Sequence, residues 1–321
     1  MPAPSQVRTS VIICAYTLDR WQDLLSAVAS VTAQQPPPAE IVIVVDHEPV
    51  LQKRLATAVD ARVRVIANDE TRGLSGARNA GVRATTGDIV VFLDDDAQAR
   101  PGWLASLLSS YGPDVMAVGG SALPRWDRGR PTWFPEEFDW VVGCTYRGSP
   151  EVQADVRNML GANMSFMRAA LEAAGGFEAR LGRVGTLPAG GEETELCIRA
   201  RRALPGMRIV LAPSSVVDHR VPATRGRLAY FVGRCFGEGR SKAIIVGLSG
   251  REAGLATERD YVRRVLPRGV LRGLREFVLV DRDGGRRAVA IIVGLAVTTA
   301  GYLTGRLRLV VRRGARDSTA S

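Results

Sequence analysis

The feature that most constrains this chain is residues 87–103, where a short apolar run ends abruptly in three adjacent carboxylates. Residues 88–93 have the pattern of a buried strand, and Asp94, Asp95 and Asp96 follow at its carboxyl end. Open α/β sheets bind their ligands at that end of the strands. Because neighbouring carboxylates repel one another, three together favour a bound cation or several hydrogen-bond donors nearby. The alternative interpretation is a solvated Asp-rich turn.

Strands and helices are predicted to alternate along the rest of the first two thirds of the chain. Three strands are predicted at 10–16, 41–45 and 63–66, separated by helices at 21–33 and 51–59. This alternation indicates an α/β fold with a doubly wound, mostly parallel sheet. Later elements are predicted at 101–110 and 169–174 (helices) and at 115–119, 160–166 and 208–211 (strands).

The positive charge of the chain is concentrated near its end. The net charge is +10 over 321 residues, and from Arg251 onward the sequence has 15 arginines, no lysine and 7 acidic residues, a balance of +8. The nearly neutral remainder argues against a nucleic-acid-binding body, and the basic tail predicts contact with an anionic surface. The four cysteines form no C-x-x-C pair, and the first ten residues have no apolar signal segment, so a cytoplasmic location is expected.

Two further segments carry polar residues suited to ligand binding. In the loop 68–81, small residues at Gly73 and Gly76 allow a ligand to approach the backbone, and Arg78 can meet phosphate oxygens or the acidic strand end. In 190–200, two glycines precede Glu192 and Glu193 at the start of a predicted helix. Carboxylates commonly stabilise helix N-termini, but such a role requires only one.

The order and spacing of these segments resemble glycosyltransferase family 2, the inverting nucleotide-sugar transferases of GT-A fold. The matching motifs cover residues 10 to about 220 and are Ala15-Tyr16-Thr17, Val45-Asp46, the Asn68 to Gly81 loop, Phe92 to Asp96, Gly161 to Phe166 followed by Gly175-Gly176-Phe177, and Gly191 to Leu196. One Asp-rich turn is weak evidence, whereas six motifs in the family's order are strong evidence.

The resemblance implies a role for each matching residue. Donor binding would involve Ala15, Tyr16, Thr17, Asp46, Arg78, Asp94, Asp95 and Asn163, with a UDP- or GDP-sugar as the donor. Asp96 would bind Mg²⁺ or Mn²⁺ on the donor's diphosphate, and His219 matches a late metal-contacting histidine. Taken by itself, the sequence around His219 favours a core histidine over a metal ligand, and only the resemblance makes the metal ligand an equal alternative.

The catalytic base implied by the family is a carboxylate near residue 193. The family usually presents Glu-Asp, with the Asp as base, and this chain has Glu192 followed by Glu193. We therefore expect Glu193 to be the base, with Glu192 as the alternative. The expected activity is metal-dependent, inverting sugar transfer to a hydroxyl acceptor in glycan or cell-envelope synthesis. Alternatives are a non-catalytic nucleotide-sugar-binding protein, or a sugar nucleotidyltransferase, which would require a glycine-rich loop that residues 15–21 lack.

The C-terminal part is predicted to be a helical extension of the catalytic domain. We expect the catalytic domain at 1–225 and a basic helical extension at 226–321. Within the extension, 265–280 has the spacing of a basic amphipathic helix, and 288–305 is uncharged and just long enough to span a bilayer. A buried core helix is the alternative for 288–305. The extension predicts attachment to the cytoplasmic side of the cell membrane and a lipid-linked acceptor.

Overall fold

The structure, a computed structural model, describes residues 7–179, 181–182, 190–250, 258–279 and 281–317. The strands are β1 (Thr9–Ala15), β2 (Glu40–Val45), β3 (Val63–Ala67), β4 (Ile89–Asp94), β5 (Ala97–Ala99), β6 (Val115–Trp126), β7 (Ala154–Asp155), β8 (Asn163–Met167) and β9 (Arg208–Val221). The helices are α1 (Trp21–Thr32), α2 (Pro49–Ala58), α3 (Leu74–Ala84), α4 (Trp103–Ser109), α5 (Arg168–Ala174), α6 (Glu192–Ala203), α7 (Leu228–Ser249), α8 (Leu266–Leu279) and α9 (Asp283–Asp317).

The strands within these residues form one mixed sheet in the order β3-β2-β1-β4-β8-β6-β9-β5, with β7 beside β9. β3, β2, β1 and β4 are parallel, as the alternation of strands and helices predicts. β8 then runs antiparallel to both β4 and β6, and β9 is parallel to β6 but antiparallel to β5 and β7. The α/β class is confirmed. The parallel pairing is continuous only from β3 to β4, because β8 lies between β4 and β6 in the opposite direction.

Alternate residues of the parallel strands are buried on opposite faces of the sheet. Val11 and Ile13 of β1 belong to the core beneath α1, α2 and α4, whereas Ile12 of β1 and Phe92 of β4 belong to the core beneath α3, α5 and α6. A strand covered on both faces has no polar face, which explains the continuous apolar runs in the sequence. The two cores fix the carboxyl ends of β1, β2 and β4 at one edge, where the candidate site lies.

A third core joins the C-terminal helices to the rest of the protein. It is built on Phe134 and Phe138 and includes Val141, Val142, Cys144, Val221, Phe231, Cys235, Leu266 and Ile291. Trp126, the last residue of β6, and Trp133, in the irregular segment that follows, pack against this core. The predicted boundary at residue 225 therefore divides residues that share one core. That the two parts are separate domains stays a prediction.

Helices α7 and α9 approach each other closely through glycines. A Cβ atom on Gly239 of α7 would lie 2.0 Å from the carbonyl oxygen of Thr298, and one on Gly301 of α9 would lie 2.2 Å from that of Phe236. Any side chain at these positions would force the helices apart, because backbone atoms cannot move away as a flexible side chain can. Small residues at helix crossings allow this kind of close backbone contact.

Gly239→Ala is therefore expected to lower the free energy of unfolding by about 2 kcal/mol or more. Gly233→Ala in the same helix is the matched control, since its Cβ would meet no atom within 4 Å. There the alanine should stabilise the protein by up to about 1 kcal/mol through helix propensity. Chemical denaturation of both variants checks the prediction. Equal stability of the two variants would contradict the close packing of α7 and α9.

The C-terminal helices also expose apolar side chains. Within the described residues, 283–309 of α9 is the one segment long and apolar enough to cross a membrane by length and composition. One face of α9 packs on α7 and α8, while Val289, Ile292, Leu303 and Leu307 are exposed. The exposed apolar residues of α8 are Leu271, Leu274, Phe277, Val278 and Leu279. We call these nine residues the apolar face. The segment 288–305 is thus neither a fully buried core helix nor a helix without contacts to the rest of the protein.

Candidate active site

The three aspartates at the end of β4 lie beside His219, which comes from a distant part of the sequence. β5 pairs antiparallel with β9, and this register places Ala97 opposite His219. As a result, Nε2 of His219 lies 3.1 Å from Oδ1 of Asp96, and both side chains are buried. Burial disfavours a charged imidazole, but Asp96 outweighs that effect and raises the pKa of His219 to about 10.

Asp94, Asp96 and His219 form a group that fits a divalent metal ion. Each offers one ligand atom, and these atoms lie within 4.8 Å of one another. Two carboxylates and an imidazole are a donor set that first-row divalent ions accept. The residues predicted to bind the metal are therefore brought together, and Asp94, predicted to contact the donor, joins them.

Two arginines hold the other side of the aspartate group. Arg20, just after β1, donates to Oδ1 of Asp95 at 2.5 Å and lies 3.1 Å from Oδ2 of Asp96. Arg225, just after β9, lies 3.3 Å from the same Oδ2. The guanidinium of Arg20 also lies over the ring of Tyr16. Neither arginine was predicted to lie at the site, although Arg20 is in the short turn that follows the first strand.

Asp95 has one carboxylate oxygen without a partner. Its Oδ2 is buried and makes no hydrogen bond within the described part of the chain. Burial raises the pKa of Asp95 to about 7 despite the neighbouring Arg20. Since buried polar atoms are normally paired, this oxygen is available to a ligand hydroxyl in the cavity.

Asp46 organises the loop that leads into α3. Its carboxylate accepts hydrogen bonds from the Asn68 side chain at 2.7 Å and from the backbone N–H of Gly73 at 3.0 Å. Gly73 has φ 125°, a conformation that favours glycine. Asp46, Ala15 and Tyr16 all line the cavity, and their binding of the donor stays a prediction. The Thr17 hydroxyl instead accepts from the backbone N–H of Asp19.

Arg78 connects the two acidic segments. It is fully buried, donates to Oε1 of Glu192 at 2.9 Å and to the carbonyl of Gly161 at 3.1 Å, and lies 3.5 Å from Asp94. Its guanidinium lies near the rings of Phe92 and Phe177. An arginine between two carboxylates reduces their repulsion and fixes their separation. Arg78 is therefore the link between the strand end and the start of α6.

Glu192 and Glu193 begin α6 and both line the cavity. Glu192 is held by Arg78 through one oxygen, and its other oxygen, Oε2, has no partner within the described residues. Burial and then repulsion by Glu192 raise the pKa of Glu193 to about 8. A carboxylate with a pKa near neutrality is well suited to accept a proton from a hydroxyl group.

Asn163 does not lie at the site, and its assignment to donor binding is corrected. Its amide nitrogen donates to the carbonyls of Ser121 and Ser215, both at 2.9 Å, and its oxygen accepts from the Trp103 indole at 2.9 Å. The side chain is fully buried and outside the cavity lining. Asn163 therefore ties β8 to β6, β9 and α4, and its side-chain groups are occupied by these bonds.

The site opens into a cavity of about 420 Å³ that continues toward the C-terminal helices. The far part is lined by Trp140, Tyr146, Tyr261, Leu295, Thr298 and Tyr302, with Arg157, Arg234, Glu238, Lys242 and Glu258. Lys242 donates to Glu258 at 2.5 Å and lies 3.1 Å from Glu238. The C-terminal helices are therefore one wall of the same cavity that contains the aspartates.

Comparisons with known proteins agree with this arrangement. The sequence model of glycosyl transferase family 2 matches residues 10–175. A glucosyl-dolichyl phosphate glucuronosyltransferase of Haloferax volcanii is 37% identical over 243 residues, which is 74% of this chain and 77% of that protein. That relative is a named glycosyltransferase, so neither a nucleotidyltransferase nor a non-catalytic binding protein is supported.

Two solved structures share the fold. The mannosyltransferase PcManGT of Pyrobaculum calidifontis, in complex with GDP-Man and Mn²⁺, aligns over 94% of this chain and 89% of its own, with a TM-score of 0.56 and 19% identity. GalNAc-T7 with UDP, GalNAc and Mn²⁺ aligns over 80% of this chain and 51% of its own, with a TM-score of 0.54 and 17% identity. These likenesses confirm the GT-A fold. The chain belongs to glycosyl transferase family 2 and is a glycosyltransferase.

Proposed function

We propose that the protein is a metal-dependent, inverting glycosyltransferase that transfers a sugar from a nucleotide-diphosphate sugar to the hydroxyl of a lipid-linked acceptor at the cytoplasmic face of the cell membrane. The observation that carries the proposal is one cavity with a metal-binding group on one side, Asp94, Asp96 and His219, and two carboxylates on the other, Glu192 and Glu193. Inverting transfer requires these two functions on opposite sides of the donor sugar.

The donor would be held by residues at the carboxyl ends of β1, β2 and β4. Asp46 and Tyr16 line the cavity, as do Leu74, Ala77 and Arg78 at the start of α3. The free oxygen of Asp95 would accept a hydrogen bond from a ribose or sugar hydroxyl. When bound, a divalent ion would stabilise the negative charge of the departing diphosphate. The imidazole among the ligands favours Mn²⁺ over Mg²⁺, and both structural neighbours contain Mn²⁺.

Glu193 is the proposed base. Its raised pKa, about 8, makes the deprotonated carboxylate a stronger base than an ordinary glutamate, and part of the protein carries it at physiological pH. Glu192 is held by Arg78, so we assign it to the positioning of that arginine and of the start of α6. The direct displacement requires only one base, which the acceptor hydroxyl reaches from the side of the C-terminal helices.

The acceptor side of the cavity supports a lipid-linked substrate. Leu295, Thr298 and Tyr302 of α9 line the cavity, and the same helix carries part of the apolar face. The relative from Haloferax volcanii is named for transfer of glucuronate to a glucosyl-dolichyl phosphate. We therefore propose a glucuronosyl donor and a sugar on a polyprenyl phosphate as the first substrates to test.

The direct test is release of nucleoside diphosphate by the purified full-length protein from UDP-, GDP- and dTDP-sugars, with Mn²⁺, Mg²⁺ or EDTA and with short polyprenyl-phosphate glycosides. We expect release that depends on Mn²⁺ and increases with acceptor, and a product whose anomeric configuration, read by NMR, is inverted. Release that is insensitive to EDTA would contradict the metal dependence. A retained configuration would contradict the role of Glu193.

Membrane attachment is expected to depend on the apolar face together with the basic charge of the extension. Replacing Leu271, 66% exposed, and Val278, 77% exposed, by glutamate should lower the liposome-bound fraction roughly tenfold or more, because two apolar anchors are lost and two charges oppose insertion. Co-sedimentation with anionic liposomes measures the effect, and donor hydrolysis should be unchanged. Val50→Glu, at an exposed valine of α2, is the matched control.

Salt distinguishes the two ways in which the extension could attach. A surface helix held by charge is stripped from the liposomes by about 1 M salt, whereas a spanning helix is not. We expect partial release, since both charge and apolar area contribute. Binding of the double variant equal to that of the Val50→Glu control would contradict membrane docking through the apolar face.

A further inference from the structure

Arg20 and Arg225 are cavity-lining cations that no step of the proposed reaction uses. Both contact Oδ2 of Asp96, at 3.1 Å and 3.3 Å, and Arg20 also binds Asp95 at 2.5 Å. The other oxygen of Asp96, Oδ1, faces His219. The two oxygens of this carboxylate therefore have separate partners, with the arginines on one side and the metal-binding group on the other.

We propose that Arg20 and Arg225 bind the diphosphate of the donor and thereby make metal and donor bind together rather than independently. This inference rests on the proposed function, because it assumes a metal ion at Asp94, Asp96 and His219. Guanidinium groups bind phosphate oxygens through paired N–H donors. Arg225 is buried and Arg20 is half-buried at the edge of the cavity, which strengthens such contacts.

The charge of the site explains the coupling. Arg20 and Arg225 each bring a positive charge to the edge of the metal-binding group, while Arg78 is paired with Glu192. A divalent ion that binds alone adds two positive charges close to these guanidiniums, which repel it. A diphosphate that arrives with the ion supplies negative charge that attracts both the ion and the guanidiniums. Free metal should therefore bind weakly, and metal with nucleoside diphosphate should bind tightly.

A purely structural role of the arginines predicts the opposite result for free metal. If Arg20 and Arg225 only orient the aspartates, their loss disorganises the ligands and weakens Mn²⁺ binding in every state. If they act as proposed, their loss removes positive charge and strengthens the binding of Mn²⁺ alone. The direction of the change in Mn²⁺ affinity without nucleotide thus separates the two roles.

The experiment is titration of Mn²⁺ into the full-length protein, followed by electron paramagnetic resonance, with and without UDP or GDP. For Arg20→Gln and for Arg225→Gln, we expect free Mn²⁺ to bind more tightly, on the order of tenfold, and Mn²⁺ in the presence of UDP or GDP to bind more weakly by a similar factor. Arg225→Lys keeps the charge and should retain most of the coupling. If Arg225→Gln does not fold, Arg20→Gln and Arg225→Lys carry the test.

Arg100→Gln is the matched control. Arg100 follows β5 and pairs with Asp218 of β9 at the surface, outside the cavity lining, so the same change of charge should leave both Mn²⁺ affinities unaltered. Mn²⁺ binding with UDP or GDP that Arg20→Gln and Arg225→Gln leave unchanged would overturn the inference and leave the proposed function intact. Absence of Mn²⁺ binding to the wild-type protein under all conditions would overturn the metal assignment and the inference with it.

Discussion

Replacing Asp96 by alanine is expected to abolish Mn²⁺-dependent donor binding and to lower kcat/KM by about 10³-fold or more. Asp96 contributes a ligand atom to the metal-binding group and is also the shared partner of Arg20, Arg225 and His219. Its loss removes several kcal/mol of stabilisation of the leaving diphosphate, and each 1.36 kcal/mol is about tenfold in rate. Calorimetric titration of donor with Mn²⁺ and steady-state kinetics measure the two effects.

Loss of a buried carboxylate also leaves buried cations without a partner, so stability must be measured alongside activity. Asp96→Asn keeps the volume and one acceptor oxygen and should fold even if Asp96→Ala does not. Asp218→Asn is the control, because Asp218 lies next to His219 in sequence but pairs with Arg100 at the surface. Full Mn²⁺-dependent turnover in folded Asp96→Asn would show that the metal is bound elsewhere.

Replacing Glu193 by glutamine is expected to lower kcat by about 10²-fold or more while donor affinity stays close to the wild-type value. The glutamine keeps the shape of the side chain but cannot accept the proton of the acceptor hydroxyl. Glu192→Gln should act differently, since Arg78 loses its charged partner and the cavity changes its charge balance. If Glu192→Gln alone shows lost turnover with intact donor binding, the two carboxylates have been assigned in the wrong order.

The pH dependence of kcat/KM provides a second test of Glu193 as the base. Burial and the charge of Glu192 raise its pKa to about 8, with Arg78 acting in the lowering direction and Glu238 in the raising direction. A base is active when deprotonated, so kcat/KM should rise with pH below about 8 and level off above it. Glu193→Gln should lose this rise. A profile that is flat from pH 6 to 9 in the wild-type protein would exclude Glu193 as the base.

Much of the site could be predicted from sequence because its residues follow strands at one edge of a parallel sheet. The aspartates after β4 and Asp46 after β2 lie where the carboxyl ends of parallel strands converge. The position of Asp96 relative to His219 could not be derived in this way, since it depends on the register of β5 and β9. These strands are far apart in the sequence, and the nearby contact of Arg100 with Asp218 joins residues 118 positions apart. The resemblance to the family supplied that pairing instead.

The errors have physical causes of the same kind. A motif identifies a position in a strand but not the face on which its side chain lies, so Asn163 was assigned to the donor although it binds the neighbouring strands. Arg20 and Arg225 were missed because isolated arginines in loops resemble solvated surface residues. Only the tertiary contact with buried carboxylates distinguishes them.

The two sides of α9 have a consequence for the size of the acceptor. Leu295 and Tyr302 face the reaction cavity, while Ile292 and Leu303 of the same helix belong to the exposed apolar face. If that face rests on lipid, the bilayer and the cavity are separated by no more than the diameter of one helix, about 10 Å. The thickness of the helix would then limit how far above the membrane the reacting hydroxyl of the acceptor can lie. An acceptor carrying a single sugar and one carrying several should differ in turnover even when their terminal residues are identical.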